Sequence, residues 1–570
     1  MRLDLQAQVA NSADRFIGTL WGAAIGDALG WPYEARANPL ASDASRVEAR
    51  GTDLAFLSWT KQSGGRFRPY QEAIERGEYS DDTQLIIAVA RARLTNAAWW
   101  ARLAEVEFPF WTMYERGGGG ATLRATKQLL KGELPWEARG SAAVSKYFGA
   151  GGNGVAMRVA PHCLAHAEST EFDGLARDIL SDGVLTHGHP RALVGALAYG
   201  FCLWWALQNS ETLRYGELIK ASLRGEEYWS RLPDIHDRWP TWAQAANRAD
   251  IREHWKLAVA ELRQALRTAD EAVGAGALAI DRETLAALGC FDRRVNGAGT
   301  VSAAAAIFLA SRHAASPIEG VVRAAKAKGA DTDTLASMTG ALLGAVAGIE
   351  WLMPHVNSLQ DHSYIRELAE RLLRGTAEDR PHRPFRARDA NHMLGGLRDG
   401  RTDFESQVDG ITQVVPYEGI RTQSSKLEVR AWKARLQGQT IFIKDVRERK
   451  DSSPLPVPQA ENLGTFSGVA IGVADLATAC HFYERILGLQ VTRRTDKFIS
   501  LGQLALRAVP GEPSGNGTAT LFVEVGDLQR CRQVLQDHGL SHSDILRRSG
   551  RDTLICRDPD GNLIEIIQRS

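Results

Sequence analysis

The stretch Phe16-Ile-Gly-Thr-Leu-Trp-Gly-Ala-Ala-Ile-Gly-Asp-Ala-Leu-Gly30 decides the fold. Phe16, Ile17, Leu20, Trp21, Ala24, Ile25, Ala28 and Leu29 recur at helical spacing and make one apolar stripe. Ser12 or Asp14 is the candidate cap, and Gly30 the stop. Gly18, Gly22 and Gly26 return every four residues on a neighbouring face. Glycine costs a helix stability relative to alanine, so this recurrence predicts a second helix packed close against that face. The same texture, dominated by Ala, Leu and Gly with little β-branched alternation, continues to about Arg374 and predicts an all-α bundle.

The 570 residues exceed what one hydrophobic core usually serves, which predicts at least two domains. The first spans 12–375, with a charged, tryptophan-rich helical insertion over 209–281 (Trp229, Trp239, Trp242, Trp255). A basic, polar connector follows over 376–463, with short strand-like pieces such as Thr440-Ile-Phe-Ile-Lys444 and a stiff ending in Ser452-Ser-Pro-Leu-Pro-Val-Pro458. From 464 to 570 the period changes to strands around two amphipathic helices. There Val473-Ala-Asp-Leu476 and Val525-Gly-Asp-Leu528, each after a strand and opening a helix, read as a duplicated βα unit.

Lysine and arginine total 68 and aspartate and glutamate 68, so bulk electrostatics argue against a nucleic-acid or anionic-membrane partner. No run approaches the ~18 apolar residues of a membrane span. The opening Met1-Arg-Leu-Asp-Leu-Gln-Ala-Gln8 lacks the basic-then-apolar layout of a signal peptide, and a cytoplasmic location is expected. Cysteines 163, 202, 290, 480, 531 and 556 are scattered without CxxC spacing and read as small core residues.

Two acidic stretches carry the chemistry. Ser80-Asp81-Asp82-Thr83 precedes Leu85, Ile86, Val89 and Leu94; Asp331-Thr-Asp-Thr334 precedes Leu335, Met338, Leu342 and Val346. Each opens an apolar helix, and each alone also reads as an ordinary capped helix start. Brought together, four aspartates would raise one another's pKa values unless a cation sat among them. Carboxylate and hydroxyl oxygens suit Mg²⁺ or Mn²⁺ rather than zinc. The glycine loops Gly117–Gly120 and Gly149–Gly154 each feed a helix; they are either turns or backbone cradles for a diphosphate. His187 and His189 have no third soft ligand beside them, which favours hydrogen bonding over metal binding.

The ordered blocks Gly26-Asp-Ala-Leu-Gly30 with Glu34, Ser80–Thr83, Gly152-Asn-Gly-Val-Ala-Met-Arg158, Thr186-His-Gly-His-Pro190 and Gly329-Ala-Asp-Thr-Asp-Thr334 resemble the ADP-ribosylglycohydrolase family over roughly residues 13–355. The resemblance implies an all-α fold, two Mg²⁺ ions at the bundle centre, and hydrolytic removal of ADP-ribose from a modified protein or small molecule. It implies Ser80, Asp81, Asp82, Asp331, Asp333 and Thr334 as metal ligands, Ser80 standing where many members have threonine. Asp81, Asp82 and Glu34 are the candidates for the base. Gly118, Gly119, Gly120, Gly152, Asn153, Gly154, Met157, Arg158 and His187 are the implied substrate contacts. Water would attack C1 of the distal ribose, with protein arginine as first acceptor. A nucleobase or small-molecule conjugate, or an ADP-ribose reader without turnover, stays open.

Gly468-Val-Ala-Ile-Gly-Val-Ala-Asp-Leu476, His481-Phe-Tyr-Glu-Arg-Ile-Leu-Gly-Leu489 and Asp558-Pro-Asp-Gly-Asn-Leu-Ile-Glu565 resemble the glyoxalase/bleomycin-resistance type of the vicinal oxygen chelate fold. That implies an α+β domain of paired βαβββ units, hence a multidomain chain, and allows a homodimer formed through this module. Its enzymes hold a metal with histidines and glutamates on facing strands. Here only Glu565 matches, while Gly468 and Thr520 stand where histidines are usual and Leu501–Val509 offers neither His nor Glu. The module reads as metal-free, with Glu565 a strand-end polar residue and Cys480 and His481 on a helix face.

Overall fold

The computed structural model describes residues 2–34, 55–64, 68–95, 98–209, 213–276, 280–378, 383–404, 408–422, 424 and 426–449; beyond these it describes 464–473, 477, 490–495, 498–501, 504–508, 519–537, 542–548, 551–557 and 563–568. They form two units, Met1–Arg449 and Lys450–Ser570. The first is framed by helices α1 (Arg2–Gly30), α2 (Asp81–Arg93), α3 (Gly120–Leu130), α4 (Pro190–Gln208), α5 (Ile251–Gly274), α6 (Gly299–Arg312), α7 (Thr332–Ala347), α8 (His362–Arg374) and α9 (Ala387–Arg398). Helices α4, α6 and α7 are apolar nearly all round and correspondingly buried.

Helix α1 begins at Arg2, so Ser12 and Asp14 lie inside it rather than at its start. Its glycine face meets α7 at backbone contact. A Cβ on Gly18 would stand 2.6 Å from the carbonyl oxygen of Gly348, on Gly22 2.2 Å from that of Gly340, on Gly26 2.1 Å from that of Ala336, and on Gly30 2.1 Å from that of Thr332. The pairing is antiparallel. It therefore sets the C-terminal end of α1 against the N-terminal turn of α7, which is what positions the site. A second close crossing joins α4 to α6, where a Cβ on Gly195 would lie 2.3 Å from the Gly299 carbonyl carbon.

The tryptophan-rich insertion is helical, as read, and its indoles fasten it. Trp239 donates to the Ser181 carbonyl at 2.9 Å and Trp242 to the Tyr147 hydroxyl at 3.1 Å. Helix α4 corrects one expectation. Its 19 residues are long and apolar enough to cross a membrane, but nearly all of the helix is buried inside the protein.

The segment expected to be a connector is largely folded structure within the first unit. Besides α9, it supplies β3 (Ile411–Pro416), β4 (Ile420–Arg421), β5 (Leu427–Leu436) and β6 (Gln439–Glu448). Strands β3, β5 and β6 form an antiparallel sheet, and β4 extends the hairpin of β1 (Trp59–Ser63) and β2 (Tyr70–Ile74). The division between units falls beside the proline-rich stretch, whose residues lie outside those described.

The second unit is one eight-stranded sheet of β7 (Gly464–Val473), β8 (Arg493–Thr495), β9 (Phe498–Leu501), β10 (Leu504–Ala508), β11 (Ala519–Val525), β12 (Leu546–Arg548), β13 (Arg551–Arg557) and β14 (Leu563–Gln568), with α10 (Leu528–Asp537). Its order β12-β13-β14-β11-β7-β10-β9-β8 repeats one pattern outward from the central antiparallel pair β11/β7: a parallel neighbour, then two antiparallel ones. The duplication read from the two Val-x-Asp-Leu blocks is thus visible in the sheet. Gly468 and Glu565 both pair with Phe522, and Thr520 pairs with Leu563. Residues 474–476, 478–489 and 558–562, including Cys480 and His481, lie outside those described. The other five cysteines are buried, as expected of small core residues.

Candidate active site

Asp27, near the end of α1, organises the start of α2. Its carboxylate accepts hydrogen bonds from the backbone N–H of Ser80 (3.1 Å) and Thr83 (3.0 Å) and from the Thr83 hydroxyl (2.6 Å). These N–H groups have no partner within the helix, so α1 caps α2 from outside. Ser80 adds its own cap, its hydroxyl accepting from the Asp82 N–H at 3.3 Å. In the sequence Asp27 is legible only as part of the Gly26–Gly30 block. Replacing it with alanine strands buried donors, and Asp27→Ala is expected to cost about 2–4 kcal/mol in denaturant unfolding. A loss smaller than about 1 kcal/mol would count against the capping role.

The α1–α7 crossing then brings the second acidic stretch to the same place. Glu34, just past α1, and Asp331 and Asp333, at the start of α7, each offer a carboxylate oxygen, all within 4.8 Å of one another. From the facing side Asp82 Oδ2 accepts from the Thr334 hydroxyl at 3.2 Å. Asp331 spends nothing on capping α7; its carboxylate accepts from Asn153 Nδ2 at 3.0 Å, and Asn153 also donates to the Ser302 hydroxyl at 3.0 Å.

The residues fit a hard divalent cation. Asp82 Oδ1 is buried and accepts no hydrogen bond, an arrangement that is costly without a positive partner. Glu34, Asp81, Asp82, Asp331, Asp333 and Thr334 offer oxygen donors on the wall around it, the kind such a cation takes. Burial pushes Asp81, Asp82 and Asp333 well above the usual carboxylate range, and neighbouring carboxylates add to it: Asp27 for Asp81 and Asp82, Glu34 for Asp333. Folded-state pKa values above the unfolded ones mean stability that is present at acid pH and lost as pH rises. A bound cation reverses that loss, since it favours the ionised cluster. The rise in thermal midpoint on adding Mg²⁺ is therefore expected to be larger at pH 8 than at pH 5; equal shifts would speak against carboxylate-bound ions.

A cavity of about 580 Å³ opens over this cluster. Glu34, Asp81, Asp82, Asp331, Asp333 and Thr334 line it, as do Gly118, Gly119, Gly120, Gly152, Asn153, Gly154, Met157 and His187. Gly117, at φ 102°, packs over Asp81, where a Cβ would stand 3.0 Å from Oδ1. A Cβ on Gly154 would lie 2.9 Å from the His187 ring, so that loop needs glycine for close approach. Burial, aided by Arg158, pushes His187 down to about 3, and the neutral ring is 2.8 Å from the Thr186 hydroxyl. A neutral ring can hydrogen-bond but brings no charge to the wall.

Two expected site residues are not on the cavity wall. Ser80 is fully buried behind it as a helix cap. Arg158 is fully buried too, paired with Asp182 at 2.9 Å and donating to the Gly154 carbonyl, so it braces the glycine loop from behind. Sequence reasoning missed the hairpin side chains Lys61, Gln62, Ser63 and Tyr70, and also Glu115, Thr122 and Gly297, all on the wall. Only Glu115 had a local signal, its place just before the glycine run.

A helical bundle whose crossing helices gather carboxylates beneath glycine loops defines a class of acidic, oxygen-donor sites. The chain belongs to the ADP-ribosylglycohydrolase family, whose model matches residues 8–382. The model of the glyoxalase/bleomycin resistance protein/dioxygenase superfamily matches residues 465–566. The chain is 26% identical over 381 residues to the uncharacterized protein YegU of Escherichia coli K12, covering 63% of this chain and 97% of that protein. It is 27% identical over 214 residues to ADP-ribosylhydrolase ARH3 of Xenopus tropicalis, covering 35% of this chain and 53% of that one. For human ARH3 the figures are 28% over 208 residues, 36% and 53%, so the match spans about half the length of these relatives. A solved structure described as an ADP-ribosylglycohydrolase-related protein complex aligns at TM-score 0.41 and 22% identity, over 64% of this chain and 99% of that one.

Proposed function

We propose that the protein hydrolyses the bond between C1 of the distal ribose of an ADP-ribose conjugate and its acceptor, with two divalent ions, Mg²⁺ or Mn²⁺, at the carboxylate cluster. The observation that carries this reading is the meeting of Glu34, Asp82, Asp331 and Asp333 below a cavity that two glycine loops also line. Asp81, Asp82, Asp331, Asp333, Thr334 and Glu34 would hold the ions, which supply charge neutralisation and a more acidic water. The chain's own groups do the rest. Backbone N–H groups of Gly119, Gly120, Gly152 and Gly154 receive the diphosphate, and His187 hydrogen-bonds the nucleotide sugar. The carboxylates favour positive charge developing on the ribose, and Asp81, Asp82 or Glu34 takes the proton of the attacking water.

A guanidinium acceptor suits the carboxylate of Glu115, on the wall outside the ion-holding set, so protein arginine is the proposed acceptor. Incubation with Mg²⁺ and ADP-ribose joined to arginine, serine, a nucleobase or a free small molecule tests this. Fastest release from arginine is expected, and faster release from another conjugate reassigns the acceptor. Tight ADP-ribose binding without release from any conjugate would replace the hydrolase by a reader.

A further inference from the structure

Strand β6 lies beyond the residues matched to the family, yet one of its side chains supports the cavity from below. Lys444, 8% exposed, donates from Nζ to the Glu115 backbone carbonyl at 2.5 Å and to Glu72 Oε1 at 3.1 Å. The same nitrogen stands 3.9 Å from Glu115 Oε1 and 5.8 Å from the centre of the Tyr70 ring.

Both acids are joints of the cavity wall. Glu115 lies two residues before the glycine run, and its carboxylate accepts the Gly118 N–H at 3.2 Å. Glu72, on β2, accepts from the Ser63 hydroxyl at 2.8 Å, pairs with Arg116 at 3.3 Å and lies 3.8 Å from Lys61. Arg116 in turn pairs with Glu78 at 2.7 Å and stacks over Phe442, also on β6, at 4.3 Å. Lys61, Ser63, Tyr70 and Glu115 face the cavity together with the glycines. One ammonium group thus lies under two walls, the β1–β2 hairpin and the glycine loop. Burial works against both charges, but Lys444, Lys61 and Arg116 hold Glu72 below the usual carboxylate range, while Glu72 and Glu115 hold Lys444 above the usual lysine value. The tie stays charged through neutral pH.

We propose that Lys444 is a positioning residue that fixes the glycine loop and the hairpin, so that the sheet following the family-matched region tunes the cavity for a diphosphate-bearing nucleotide sugar. The positioning stands on the geometry alone; the ligand rests on the function proposed above.

Amide hydrogen exchange on the full chain separates the two. In Lys444→Met, amides of residues 117–120 are expected to exchange at least about tenfold faster than in the wild type, with those of α7 unchanged. Lys444→Arg, which keeps the charge, should recover part of the protection. Unchanged loop exchange in Lys444→Met overturns the proposal. Should that variant fail to unfold cooperatively, Glu115→Gln decides in its place: faster loop exchange supports the tie, unchanged exchange overturns it. Titration with ADP-ribose and Mg²⁺ should then show at least about tenfold weaker binding by the lysine variant, and equal affinity overturns the tuning of the cavity. A wild-type protein that binds no ADP-ribose removes the functional reading, while the exchange result still decides the positioning.

Discussion

Asp331→Ala is expected to abolish divalent-ion binding and to lower ADP-ribose release by about a thousandfold or more. Asp331 sits at the junction of the whole arrangement. Its carboxylate lies within 4.8 Å of both Glu34 and Asp333, and Asn153 holds it in place from the glycine-loop side. Removing it takes away one donor and frees Asn153, so the remaining carboxylates no longer form a closed oxygen set. The effect on the ion-free protein should be small, because one like charge fewer in a buried cluster offsets the lost hydrogen bond. Loss of function with little loss of fold is therefore the signature. Titration with Mn²⁺ followed by electron paramagnetic resonance, with turnover measured alongside, checks it. Mn²⁺ affinity and turnover within a few-fold of wild type would contradict the assignment.

Gly26→Val is expected to destabilise the first unit by more than about 4 kcal/mol. A Cβ at that position would stand 2.1 Å from the Ala336 carbonyl oxygen and 2.5 Å from its carbon. Both partners are backbone of packed helices, so no side chain can swing aside, and α1 and α7 must separate. Separation also moves Glu34 away from Asp331 and Asp333, so any folded fraction should lose its stabilisation by Mg²⁺. Gly274→Ala is the matched control: nothing lies within 4 Å of its added Cβ, and alanine favours helix, so it should be neutral or slightly stabilising. Thermal unfolding of the two variants checks both, with a drop of at least about 4 °C expected for Gly26→Val alone. Equal midpoints would mean that the helices do not cross at this glycine face.

The helix crossing was legible because it is written in one local pattern. Gly18, Gly22 and Gly26 accept a propensity cost that only a close neighbour repays, and α7 is that neighbour. The acidic starts of α2 and α7 were legible as donors, and their convergence follows from the antiparallel crossing, which local spacing does not encode. Ser80 and Arg158 illustrate the limit. A hydroxyl at a helix start and an arginine after a glycine loop suit either a ligand or a brace, and burial beside Asp82 and Asp182 made them braces. The hairpin bearing Lys61 and Tyr70 left no signal, since its side chains act only once β2 is held by β4, far along the chain. The segment read as a connector misled for a related reason. Its main strands, β5 and β6, are ten residues each but carry charged residues along their length, and they pack on the bundle, as when Arg91 donates to Gln439 at 2.6 Å.

Anomalous diffraction from crystals soaked in Mn²⁺ tests the central claim most directly. Peaks are predicted at coordination distance, about 2.1–2.3 Å, from carboxylate oxygens of Asp82, Asp331 and Asp333. Saturating Mn²⁺ that leaves those oxygens without a peak, or binds only elsewhere on the protein, would contradict the account.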